Sequence, residues 1–139
     1  MRYMMMHKAD AASEAGTPPS RELIEKMGAL MQEMGDAGIL IAGEGLHGSS
    51  SGKRLNFSGG NLTVTDGPFA ETKELIAGFV ILEVDSIDDT VEWAKKFAAV
   101  VGDVEIDIRR VVVEEDFGDE FTPEARAQEA QLREQISQR

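Results

Sequence analysis

An α+β sandwich, two helices laid on one face of a mainly antiparallel sheet, is the fold that this 139-residue sequence predicts. Three observations point to it. Short runs of apolar or alternating residues recur along the chain, which marks strands. Two segments repeat their apolar residues at a 3.6-residue period, which marks amphipathic helices. The segments follow the order β-α-β-(hairpin)-β-α-β-α. Crossover helices between strands give a ferredoxin-like sandwich, here with an inserted β-hairpin and a C-terminal helix. The length suits one domain with a real core and not two.

Each element has its own warrant. Tyr3 to His7 reads as a short buried strand. "ADAASEAGTPPS" reads as a loop, broken by Gly16, Pro18 and Pro19. Leu23, Ile24, Met27, Leu30, Met31 and Met34 form one continuous helical face. Thr17 or Ser20 caps that helix, and Gly35 and Gly38 bracket its end. "ILIAGEGL" (39–46) is a second strand, followed by the small-residue loop "HGSSSGK". "RLNFSGGNLTVT" predicts a hairpin that turns at Gly59-Gly60-Asn61. "LIAGFVILEVD" (75–85) is a longer strand, and Ser86 with Asp89 resembles a capping box for the next helix. That helix carries Val91, Ala94, Phe97, Ala98 and Val101 on one face, and "VEIDIRRVVV" (104–113) is the last strand. Residues 1–113 make the domain. An acidic loop and a helix from Thr122-Pro123, poor in apolar residues, extend it over 114–139.

Composition narrows the function classes. The formal net charge is −12, with Lys and Arg in no run longer than two. Such a surface repels phosphates, so neither nucleic acid nor an anionic membrane is expected as a partner. The absence of cysteine excludes disulfides, thiolate metal sites and Cys nucleophiles. The N-terminal apolar run is too short for a signal or membrane segment, so a cytoplasmic location is expected.

The sheet poses a physical problem. Val80, Leu82 and Val84 alternate with Phe79, Ile81 and Glu83, and Val104, Ile106 and Ile108 alternate with Glu105, Asp107 and Arg109. Helices cover one face only. The other would expose Phe79 and Ile81 beside a few charges. A second copy covers it most simply, so a homodimer is expected, its two sheets enclosing a barrel or cleft.

Candidates for chemistry are few. His7 closes an apolar strand and reads as a strand-end residue. His47 opens the Gly/Ser loop at a strand end, where sites gather, and an imidazole suits acid–base work at neutral pH. Two distant histidines make no metal site, and no metal or other cofactor is expected. "GSSSG" (48–52) has the letters of a nucleophile elbow, but a hairpin follows it and not a helix. Lys53 lacks the spacing of a phosphate-binding loop. "DGPFAETKE" (66–74) specifies a rigid corner: Asp66 accepts from following N–H groups, Gly67 supplies an unusual φ, Pro68 fixes its own and Phe69 plugs an apolar gap. Its polar flanks, Asp66, Glu71 and Lys73, form the rim of a site if they face the cleft.

Several stretches together resemble the YCII-related proteins, in the branch named for its DGPF motif. They are "AGEGLHGSS" (42–50), "TVTDGPFAETKELIAGFVILEV" (63–84), "TVEWA" (90–94), "VEIDIRRV" (104–111) and "EEDFG" (114–118). The resemblance implies a dimeric α+β barrel, whose wider fold group includes monooxygenases, lactone isomerases and haem-dependent enzymes. It also implies an enzyme worked by a His–Asp pair, with the His on the first helix in short-form relatives. The helix from Ser20 to Gly35 has no histidine; Lys26 and Met27 stand near that place, and His7 is a departure. Two readings therefore stand. In one, a small acid–base enzyme acts on a small organic molecule, with catalytic candidates His47, Asp66 and Glu44. Arg109, Glu71, Lys73 and Phe79 are then the substrate-binding candidates. In the other, the protein is a non-catalytic ligand-binding or accessory module.

Overall fold

The computed structural model describes residues 1–138. The central sheet takes β1 (Arg2–Lys8), β2 (Leu40–Gly45), β5 (Ile76–Glu83) and β6 (Ile106–Arg110) in the order β2-β5-β1-β6, every neighbour antiparallel. Helices α2 (Arg21–Asp36) and α3 (Ile87–Val101) cover one face. Strands β3 (Lys53–Ser58) and β4 (Asn61–Asp66) form a separate two-stranded sheet, and α4 (Pro123–Ser137) ends the chain. The α+β architecture and its elements are those the periodicities predict. Among the described residues, no helix is long and apolar enough to cross a membrane.

The core lies where alternation places it. Tyr3, Met5, Val80, Leu82 and Val84 from the sheet meet Leu30, Met34 and Phe97 from the helices. Met34 and Leu82 are wholly buried, and truncating either to alanine would cost about 2–5 kcal/mol. Phe79, Ile81, Met4 and Met6 point to the other face and are half-buried; Glu83, Asp107 and Arg109 on that face are exposed. The helices start on side-chain caps: Ser20 Oγ accepts from Leu23 N–H, Ser86 Oγ from Asp89 N–H and Thr122 Oγ1 from Ala125 N–H.

Three local expectations change. The stretch read as a loop holds a one-turn helix, α1 (Ala11–Glu14), because Asp10 and Ser13 close a reciprocal capping box. In α3 the inner position falls on Thr90, wholly buried, while Val91 is 37% exposed. The stripe of α2 is longer than the body beneath it. Leu30 and Met34 are buried, but Ile24 is 57% exposed because the first turns overhang an open groove.

Candidate functional site

The groove is a consequence of glycine. At the far end of the sheet, β2 and β5 present Gly43, Gly45 and Gly78 toward the helices, with Gly45 opposite Gly78 in the register. A strand glycine marks a close approach or a missing side chain, and both occur here. At Gly78 a Cβ would come within 2.6 Å of His7 Cε1, whereas at Gly45 it would meet nothing within 4 Å. Above this floor α2 contributes Gly28, which also faces open space. The result is a cavity of about 510 Å³, walled by Leu23, Ile24, Met27, Met31, Phe97 and Val101.

His7 is the titratable side chain that this geometry commits to the groove. It stands opposite Gly78 in β5 and Ile106 in β6. Its ring sits over the glycine, 5.0 Å from the Phe97 ring centre and tilted 43° to it. Half-burial among apolar groups pushes its pKa below the usual histidine value, and the nearby Asp10 carboxylate opposes that only in part. His7 is therefore a neutral imidazole at pH 7, able both to donate and to accept a hydrogen bond.

The residues singled out in the sequence lie in several places. Glu44 and Phe79 are partners in the β2–β5 register and border the groove, although the pleat sends their side chains toward the opposite face. His47 is exposed in the loop after β2. Asp66 pairs with Lys53 at the base of the hairpin, 2.5 Å apart. Among the described residues no hydrogen bond joins His47 to Asp66 or Glu44. Glu71 and Lys73 lie exposed around the short helical turn Thr72–Glu74. Arg109 stands level with Met4 on the sheet face away from the groove. In the sequence His7 reads only as a strand end. The signal that marks it is the set of glycines at 43, 45 and 78, spaced to put small residues on one sheet face where neighbouring side chains can lie across the backbone.

The DGPF corner is a clip. Gly67 N–H donates to the Gly52 carbonyl at 3.0 Å. Ser49 Oγ accepts from Phe69 N–H at 2.9 Å and donates to Glu14, which also accepts from Ser49 N–H at 2.6 Å. Gly67 does not need a left-handed φ, contrary to expectation. It needs the absence of a side chain, because a Cβ there would overlap the Ser49 carbonyl. The Asp66 side chain goes to Lys53 and not to the following N–H groups. Phe69 lies half-buried beneath the Arg54 guanidinium, 4.2 Å from its ring centre. Ser49 is thus engaged as donor and acceptor within the clip.

A second hollow, about 610 Å³, lies between Arg2, the segment 112–121 and α4. Arg126 and Arg133 on its wall are each paired with a glutamate at 2.8 Å, Glu114 and Glu129. Two of its three arginines are already paired, so it offers an anionic ligand little free charge.

Comparison with known proteins gives a family and no activity. The chain is 32% identical over 73 residues to the uncharacterized protein R00369 of Rhizobium meliloti (strain 1021). That match takes in 52% of this chain and 59% of the relative, so the chain spans well under two thirds of its length. The model of the YCII-related domain matches residues 1–112, which contain the sheet, both covering helices, the hairpin and the groove. By that match the chain belongs to the YCII-related domain family.

Proposed function

We propose that this YCII-related protein binds a small, flat, uncharged organic molecule in the glycine-floored groove, with His7 as its one polar anchor. The observation that carries the reading is a groove floored by the backbone of Gly43 and Gly45 beneath apolar walls, with the neutral imidazole of His7, seated on Gly78, at one end. Concave, mainly apolar cavities of about 300–1,000 Å³ with few polar groups are the usual form of small-molecule sites. A planar ring suits a floor without side chains, and Met27 and Met31 adapt to its outline. A carboxylate ligand would meet no cation among the wall residues and would lie near Asp10 and Glu44. Thermal shift and calorimetry with 2-naphthol and 2-naphthoate test this. The naphthol should raise the melting temperature and the naphthoate should not. His7→Phe should weaken naphthol binding at least tenfold. Equal binding of both compounds, or of neither, would remove the reading.

One observation favours a catalytic version of the same site. A histidine neutral at pH 7 is a competent general base, and His7 is held so by burial. The acid–base role assigned to His47, with Asp66 or Glu44 as orienter and Arg109 as anion anchor, lacks hydrogen bonds that would assemble it. His7→Gln should then abolish conversion of a bound substrate, while His47→Ala leaves it intact. The reverse result would restore His47.

A homodimer of the barrel type belongs to the proposal. Met4, Met6, Phe79 and Ile81 are only half-buried on the face away from the helices, and a second copy is the simplest cover. Light scattering after size-exclusion chromatography at micromolar concentration gives the mass directly.

A further inference from the structure

We infer that the β3–β4 hairpin is a dimer arm, laid across the outer sheet face of a second copy of this chain; this rests on the homodimer reading above. All residues of both strands are exposed. The register pairs Leu55 with Val64 and Phe57 with Leu62, which puts four large apolar side chains on one face of the ribbon. They are 56%, 52%, 73% and 50% exposed, respectively. A lone two-stranded hairpin is marginal in water, so an uncovered apolar face on one calls for a partner.

The base of the arm is fixed although its length is bare. Lys53 pairs with Asp66, Arg54 stacks on Phe69, and the Ser49–Glu14 clip holds the corner below. Gly59 and Gly60, both at positive φ, make the tight two-residue turn at its tip. Six residues per strand span about 20 Å, and four strands about 15 Å across, so the arm is long enough to cross a whole sheet.

Three arguments select a second copy as the occupant. The first is charge. Two chains of net charge −12 repel, and the arm belongs to the longest stretch without an acidic residue, Gly45 to Thr65, which also carries Lys53 and Arg54. The face it would cover balances Glu44, Glu83 and Asp107 with Arg2, Lys8 and Arg109, Lys8 pairing with Asp107 at 3.0 Å, so an arm without acidic residues can settle on Met4, Met6, Phe79 and Ile81 without adding like charge. The second is area. At about 150–200 Å² for each fully exposed apolar side chain, the arm offers roughly 400 Å². Two arms, each covered by an equal area of partner, bury roughly 1,600 Å², the size of a standard specific interface. The third is symmetry. One two-fold axis that sets each arm on the other's sheet covers both unpartnered surfaces at once.

The chain has no cysteine, so engineered ones report without interference. Phe57→Cys chains mixed with Met6→Cys or Ile81→Cys chains should form disulfide-linked heterodimers under mild oxidation. Phe57→Ser/Leu62→Ser should raise the dimer dissociation constant at least a hundredfold while the far-ultraviolet spectrum stays unchanged. A dimer that survives the double substitution leaves the homodimer reading standing and removes the arm. Phe57→Cys chains linking only to each other would also overturn it, by placing arm against arm. A monomeric wild type overturns both readings.

Discussion

Replacing Gly28 by leucine should stabilise the protein and spoil the groove at once. Gly28 is an interior residue of the sixteen-residue α2. Its φ is not in the left-handed region, and a Cβ there meets no heavy atom within 4 Å. No steric cost therefore opposes a β-carbon, and the open groove beside it leaves room for the rest of the leucine side chain. Glycine in a helix interior is about 0.8–1.0 kcal/mol worse than alanine, and leucine is nearly as good as alanine. The expected gain is about 0.8 kcal/mol, which for 139 residues raises the melting temperature by about 3 °C. The same side chain puts four carbons into the groove between Ile24 and Met31. Affinity for 2-naphthol should fall at least tenfold, a loss of about 1.4 kcal/mol. Gly28→Ala is the control: it brings the same stabilisation with one carbon and keeps binding within about threefold. Scanning calorimetry and titration calorimetry read both quantities on the same samples. A fall in melting temperature for both variants would mean that Gly28 has an unseen contact. A leucine variant that is more stable and binds as before would show that the ligand site lies elsewhere.

Thr90 Oγ1 is wholly buried and has no hydrogen-bond partner among the described residues, so Thr90→Val should stabilise by about 1 kcal/mol; a urea midpoint that falls would reveal a hidden acceptor. Gly67→Ala drives a methyl into the Ser49 carbonyl and should open the clip, so amide exchange across residues 53–66 should accelerate at least tenfold while β1 and β5 keep their protection. His7 is held below its unfolded pKa of about 6.5, so between the two values the unfolded chain binds the extra proton. Its contribution is complete above the unfolded value and is lost as pH falls through the folded one. Urea unfolding from pH 7.5 downward should show that decline in wild type and a smaller one in His7→Phe, and identical slopes would contradict the burial of the imidazole.

Periodicity made most of the fold legible, because burial on one face imposes the pattern it reads. Leu30, Met34, Val80 and Leu82 fall inside as their spacing requires. The errors came where a local contact or an empty space decided the outcome. Asp10 and Ser13 made a helical turn out of a loop through two hydrogen bonds. Val91 lost the inner position to Thr90, since a period of 3.6 leaves one residue of uncertainty in where a stripe is centred. The groove escaped notice for a different reason. Patterns of apolar side chains announce what is filled, while Gly28 and Gly45 define it by what is missing. His47 drew attention through its loop, yet His7, on a regular strand, is the histidine that faces a cavity.

The two proposed surfaces share a strand and not a face. Along β5, Gly78 and Val80 turn toward the helices and the groove, while Ile81, and Phe79 by the same alternation, turn toward the face assigned to the second copy. In β1, His7 faces the groove while its neighbour Met6 faces outward. Pleating keeps a ligand and a partner apart, so both can be bound together without competition. It also links them, because a shift of β5 that tightens one face must move the other. Ligand affinity should therefore depend on protein concentration across the dimerisation range. By linkage, the ligand should change the dimer dissociation constant by the same factor, in the same direction. An affinity for 2-naphthol that is identical in wild type and in a folded monomeric Phe57→Ser/Leu62→Ser variant would show that the two faces act independently.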